Sequence, residues 1–170
     1  MACNLTSSLP LSCRENVGGI KTAYILDASG EAISVTEANG VVSAFSVGAT
    51  SITDLAADMF EFEQVKQTAS LVSTTNASEE NGTVFFSDVL SLIFNKLEAT
   101  KLNALKVLAA NSKLCIVVED NNGKFWMPGN TNGMVVSGGT SESGVAFGDR
   151  NGITIEFTGY SSSPMFEVSL

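Results

Sequence analysis

The sequence predicts a mainly β protein, an antiparallel β-sandwich or barrel with a long hairpin and one flanking α-helix. Three observations carry this. Asn-Gly dipeptides fall at 39–40, 81–82, 122–123, 132–133 and 151–152 of the 170 residues. Both residues tolerate positive φ, so Asn-Gly between apolar runs is a strong hairpin signal. The runs between them are short and rich in Val, Ile, Phe and Thr, the residues that suit a pleated surface. Mean hydropathy is positive at +0.22, yet no apolar stretch approaches the roughly 18 residues of a membrane helix.

Residues 1–17 are polar and read as an extended N-terminal arm, leaving 18–170 as one domain. Gly18-Gly19 opens a strand at 20–26, where Ile20, Tyr24 and Leu26 are expected to share a face. After a turn at 27–30, the run 32–47 is interrupted by Asn39-Gly40 and reads as two strands. Residues 54–59 are too short to assign. The run 60–72 starts with strict alternation, Phe60 and Phe62 against Glu61 and Glu63, as in a strand with one dry face and one wet face. The Ser/Thr/Asn/Glu stretch 73–82 then reads as a hairpin loop. The returning strand at 83–94 is apolar on both faces and is expected to be central and doubly covered. Leu90, Ile93, Phe94 and Leu97 also fit helical spacing, but β-branched and aromatic enrichment favours the strand.

One helix is predicted over 100–111, capped by Thr100, with Leu102, Leu105, Leu108 and Ala109 as its apolar stripe. Leu114 to Glu119 is a buried strand and 120–123 a turn, with 124–127 as its returning partner. The glycine- and serine-rich span 129–152 reads as a long loop holding one short strand at 134–136. Strands at 153–159 and 165–168 close the chain.

Charge and composition narrow the function. Only 16% of residues are charged, against about 25% in typical soluble domains. That much apolar surface without a membrane span points to self-association, and no membrane insertion is expected. Nine basic against eighteen acidic residues leave a net charge of −9. The cations are scattered, which excludes a phosphate-gripping groove. An acidic wall can instead let DNA pass without sticking. Cys3, Cys13 and Cys115 lack metal-ligand spacing, and Cys115 reads as a buried hydrophobe in a reducing compartment. A Cys3–Cys13 disulfide is geometrically possible, with nothing else in its favour. No positive n-region or apolar h-region opens the chain, so no secretory signal is expected.

Catalytic motifs fail one by one. Histidine is absent, which removes the commonest general base near neutral pH. No G-x-S-x-G elbow is present. The span 138–152 lacks the Lys and following helix of a phosphate loop. Asp120-Asn121-Asn122-Gly123 resembles part of a calcium loop, but no acid follows until Glu142. Glu61 and Glu63 could pair as glycosidase carboxylates, but only one tryptophan, Trp126, is present to build a sugar platform. The expectation is no enzyme, no catalytic residue, no cofactor and no metal. Asp149 and Arg150, late in the glycine-rich span, are candidates for setting register against a neighbouring subunit.

The order of elements carries a resemblance. A polar arm precedes Gly18-Gly19-Ile20-Lys21, a long hairpin lies near 60–94, and a helix follows at 100–111. The stretch from Val117 to Gly129 comes next, and Ala146-Phe147-Gly148-Asp149-Arg150-Asn151-Gly152 precedes a late strand. This layout resembles structural proteins of tailed bacteriophages and prophages, of the tail-tube type. The resemblance implies a small β-sandwich or barrel with a flanking helix, stacking as hexameric rings around a DNA channel. It implies a virion tail location after assembly in the bacterial cytoplasm, with copies of itself and other virion proteins as partners. Hairpins from neighbouring subunits would join into a lumen sheet, with Glu61 and Glu63 on the acidic inner wall. Capsid decoration, a head–tail connector, or a carbohydrate-binding adhesin-like sandwich are the alternatives.

Overall fold

The computed structural model describes residues 8, 9, 14 and 16–170, so most of the expected arm and the Cys3–Cys13 pairing lie outside the described residues. The fold is mainly β, as predicted. In chain order the elements are β1 (Ile20–Asp27), β2 (Ile33–Ala38), β3 (Val41–Val47), β4 (Thr50–Ile52), α1 (Leu55–Asp58), β5 (Phe60–Glu63), β6 (Ser70–Ser78) and β7 (Thr83–Asn95). Then follow α2 (Ala99–Ala110), β8 (Leu114–Asp120), β9 (Phe125–Met127), β10 (Met134–Glu142), β11 (Gly152–Ser161) and β12 (Phe166–Val168), with a 3-10 turn at Asn130–Asn132. Among the described residues no helix is long and apolar enough to cross a membrane.

The strands hydrogen-bond in the order β2-β3-β12-β9-β8-β10-β11-β7-β6, with β1 between β8 and β5 and with β4 on β3. All pairings are antiparallel except β12 with β3. The β10–β11–β7–β6 half joins the rest through one register pair, Met134 with Leu114. Strand β8 is therefore the hinge between halves, and it is buried from Leu114 to Val118. Cys115 and Val117 enter one core with Tyr24, Phe45, Ile52 and Met127. Leu114, Ile116 and Val118 enter a second with Ile25, Leu90, Leu92, Ile155 and Phe157. Two faces of one strand feeding two cores make a layered, sandwich-like fold.

Local chemistry explains the punctuation. Asn39 and Gly40 both have positive φ, +54° and +82°, and form the two-residue loop between β2 and β3, the type I′ geometry. Asn81-Gly82 ends the β6–β7 loop and Asn122-Gly123 the β8–β9 loop. Asn132-Gly133 instead closes the 3-10 turn. Asn151 stands at the end of the β10–β11 connection and accepts the Leu97 amide through Oδ1 at 2.9 Å.

Several expectations need correction. Ile20 does not share a face with Tyr24 and Leu26: an irregularity in register against β8 between Ile20 and Thr22 sends Ile20 to the second core. The run 60–72 is not one strand, since β5 stops at Glu63 and Gln67 takes φ +63°. The stretch 73–82 is not a loop, because β6 runs to Ser78 and leaves 79–82 as the connection. Its polarity is that of an exposed sheet edge, where Thr and Ser pair as well as apolar residues do.

The span 129–152 is likewise not one long loop, since β10 occupies 134–142. There the glycines mark close strand approach: a Cβ on Gly139 would lie 2.8 Å from the Thr154 carbonyl oxygen. The helix begins at Ala99, with Glu98 rather than Thr100 at the N-cap. Residues 54–59 hold the single-turn α1, capped by Asp54, whose side chain accepts the Ala56 amide.

Candidate assembly surface

Strand β7 is central in the sheet, between β11 and β6, but it is not doubly covered. Asp88, Leu90 and Leu92 are buried, whereas Val89 on the alternate face is exposed. Strand alternation puts Phe85, Val89 and Ile93 on that outer face. The register adds Val72 of β6 opposite Val89, and Tyr160 of β11 opposite Ser87. Phe85 and Tyr160 meet with ring centroids 6.2 Å apart. Val72 is 55% exposed and Tyr160 59%. Within a chain of net charge −9, this face carries Glu156 of β11 as its charged group among these paired strands.

The same hairpin leaves an open edge. Pairing between β7 and β11 ends at Phe86 with Ser161, while β6 and β7 continue together to Ser78 and Thr83. The tip therefore projects past the rest of the sheet. Strand β6 pairs with β7 on one side and with no other described strand. Its nine residues, Ser-Leu-Val-Ser-Thr-Thr-Asn-Ala-Ser, hold no charge and no proline. A monomeric protein commonly blunts such an edge with lysine, proline or a bulge; this one does not.

Glu61 and Glu63 lie on β5, paired with Tyr24 and Thr22 of β1. Both are exposed. Their strand is another edge, pairing only with β1 among the described strands. Phe62, on the other side, packs edge-on against Phe94 at 6.0 Å, but Phe60 is 71% exposed, so the expected dry face is dry at one position only. Burial raises the Tyr24 hydroxyl above its ordinary pKa, and the Glu61 charge adds to this.

Asp149 and Arg150 are engaged within their own subunit. Asp149 Oδ2 accepts the Val145 and Ala146 amides at 2.9 and 2.7 Å, and these two bonds hold its carboxyl below the usual range. Arg150 Nε donates to Glu142 at 2.7 Å, and its Nη2 donates to Thr154 Oγ1 at 2.9 Å. The connection 143–151 is thus a braced loop. At its tip Val145 and Phe147 have no cover at all, at 102% and 114% exposure. Sequence reading settled on the charged pair and passed over these apolar neighbours, whose alternation with Gly and Ala gave no periodic signal.

The Asp120-Asn121-Asn122-Gly123 turn has a job that spacing did not disclose. Asn122 accepts the Val17 amide through Oδ1 at 2.9 Å and donates to the Val17 carbonyl at 2.8 Å. Asn121 donates to the Gly18 carbonyl at 2.8 Å. Asp120 braces the turn, accepting from Lys124 N at 3.0 Å and Trp126 Nε1 at 3.1 Å. The turn therefore fixes the point where the N-terminal segment joins the sheet.

Among the described residues no group of three or more His, Cys, Asp or Glu side chains could hold a metal ion. Comparison of the chain with protein-family models, curated proteins and solved structures finds no match.

Proposed function

We propose that this protein is a virion structural subunit of the tail-tube type, which polymerises with itself into stacked rings around a channel that conducts DNA. The observation that carries this reading is the uncharged nine-residue edge of β6 beside the open outer face of β7. Strand addition along such an edge satisfies main-chain groups, each bond contributing about 1 kcal/mol. Association costs on the order of 4–15 kcal/mol in lost freedom, so an edge alone does not hold a complex. Burial of Val72, Val89, Phe85 and Tyr160 supplies the missing part, at about 25 cal/mol per Å² of apolar area.

The channel follows from charge. A wall built from a net −9 chain, with Glu61 and Glu63 facing the lumen, repels phosphate and leaves DNA free to slide. The resemblance supplies six-fold rings, the tail location and other virion proteins as further partners. Asp149 and Arg150 serve assembly by shaping the loop that faces a neighbouring subunit.

Negative-stain microscopy of the purified protein tests the reading. Tubes or six-fold rings are the expected result. Particles that stay single at high concentration overturn it, as does decoration of preformed capsids without tubes.

A further inference from the structure

The Asn-Gly pairs share one chemistry. The glycine amide nitrogen, once it loses its proton to solvent base, can attack the asparagine Cγ. The new N–Cγ bond closes a five-membered succinimide, the Cγ–Nδ2 bond breaks, and ammonia leaves. Water then opens the ring at either carbonyl to give aspartate or isoaspartate. No oxidant or other co-reactant is needed, and glycine, having no Cβ, leaves the approach unobstructed. The ring closes only if the side-chain amide is free to turn onto the backbone and the glycine N–H is not held elsewhere.

Most of the pairs fail that condition. Asn122 Oδ1 accepts the Val17 amide at 2.9 Å, while its Nδ2 donates to Asn16 and to the Val17 carbonyl, both at 2.8 Å. Asn132 Nδ2 donates to the Tyr160 carbonyl at 2.8 Å, and the Gly133 amide donates to the Gly129 carbonyl at 3.1 Å. Asn151 Oδ1 accepts the Leu97 amide at 2.9 Å, and Gly152 is buried in β11. Asn39 makes no side-chain hydrogen bond among the described residues, but its attacking nitrogen is masked: the Gly40 amide donates to Glu37 Oε2 at 3.0 Å. A carboxylate seated on that N–H opposes its deprotonation.

Asn81-Gly82 differs. Both residues are exposed on the connection 79–82 between β6 and β7. Among the described residues Asn81 engages only its backbone amide, toward Ser78 Oγ at 3.3 Å. The Gly82 amide donates to the Glu79 carbonyl at 3.3 Å, long for an N–H···O bond. The side chain is therefore unheld and the attacking nitrogen weakly held.

We infer that Asn81 is a deamidation site, where this chain converts spontaneously and irreversibly to aspartate or isoaspartate at the tip of its longest hairpin. The product is one unit more negative than the −9 of the unmodified chain. It sets a third carboxyl beside Glu79 and Glu80 on a tip that projects past the rest of the sheet. The isoaspartate form also routes the backbone through the former side chain, adding one carbon to the turn. This inference goes beyond the self-assembly reading and does not rest on it.

Peptide mapping by mass spectrometry tests it, following every Asn-Gly pair while dilute, folded, full-length protein is incubated in mildly alkaline buffer beside a sample in guanidinium chloride. In the folded protein Asn81 is expected to convert at least about tenfold faster than Asn122, Asn132 or Asn151. In guanidinium the rates should converge. Glu37→Ala, at an exposed residue, should raise the Asn39 rate severalfold and leave that of Asn81 unchanged. Conversion no faster at Asn81 than at the tied pairs overturns the inference. So does an Asn81 lead that survives unfolding, because neighbours in sequence rather than the fold would then set it. An Asn39 rate that Glu37→Ala does not move overturns the masking on which the ranking rests. None of these readouts involves association between copies, so failure here leaves the self-assembly reading standing.

Discussion

Asp88 of β7 reaches through the protein interior to the backbone of Gly129, whose amide it accepts at 2.8 Å. Asp88 is fully buried, its second carboxylate oxygen has no partner, and it joins no ion pair among the described residues. The bond ties β7 to the turn between β9 and β10, and so ties the two halves of the sheet together. Asp88→Ala should destabilise the fold by about 1–3 kcal/mol, because it strands a buried amide. Asp88→Asn keeps an acceptor and should cost clearly less. Urea unfolding of the two variants checks the order; equal losses would show that the bond is not what matters at this position.

The braced loop makes a pH prediction. The carboxyl of Asp149 is held low by the Val145 and Ala146 amides, so its contribution is present above the ordinary Asp pKa of about 3.9 and is lost as pH falls through the lowered value. Hydrogen exchange at Val145 and Ala146 should accelerate, relative to its normal pH dependence, only on acidification below about pH 4. Asp149→Asn, which cannot carry the charge, should show the faster exchange at neutral pH as well. Protection that is indifferent to this substitution would mean that other bonds order the loop.

Cys115 offers a probe of opening. Burial in the first core raises its thiol pKa to about 12, and the thiolate is the reactive form. With Cys3 and Cys13 replaced by serine, alkylation of Cys115 near pH 8 should be very slow and should keep pace with global unfolding as urea is added. Rapid labelling in the native state would require local opening of β8, the strand that both cores share.

The parts of this fold legible in sequence were those set by local chemistry. Asn39-Gly40 demanded positive φ twice, and the Leu114–Val118 run was too apolar to lie anywhere but between two layers. What escaped depended on neighbours distant in the chain. Gly138 and Gly139 looked like loop residues because the close approach of Thr154 is invisible along the sequence. The Ser-Thr-Asn composition of β6 reads as loop unless β7 is known to pair with it. The apolar residues at 83–94 did indicate cover on both faces, and the isolated chain provides it on one. Of the candidate surface, the exposed carboxylates of Glu61 and Glu63 were legible from their alternation with Phe60 and Phe62, whereas the uncharged β6–β7 face and the role of Asn122 in holding Val17 required the partners to be seen.

Glycine substitutions separate two physical causes. Gly40 has φ +82° with open space where a Cβ would stand, so Gly40→Ala should cost about 1 kcal/mol through backbone strain alone. At Gly139 the backbone conformation is permissive, but a Cβ would meet the Thr154 carbonyl at 2.8 Å, and the strand pair must spread. Gly139→Ala should therefore cost more than Gly40→Ala and should weaken the β10–β11 pairing specifically. Thermal melts rank the two, and amide exchange along β11 localises the effect; a milder Gly139 variant would contradict the close approach.

Salt should promote assembly. Each copy carries a net charge of −9, whereas the outer face around Val72, Val89 and Tyr160 is nearly uncharged. Joining copies through that face gains little from ion pairs and concentrates like charge around it. Raising ionic strength from about 0.01 M to about 0.15 M shortens the screening length from roughly 30 Å to roughly 8 Å. The repulsion between whole subunits then falls, while the burial of apolar side chains on the β6–β7 face does not depend on charge. Light scattering at fixed protein concentration should therefore rise with sodium chloride, and Val72→Lys or Val89→Lys should suppress that rise while leaving the melting temperature close to wild type. Scattering that instead falls as salt is added would mean that ionic contacts, not the uncharged β6–β7 surface, hold the copies together.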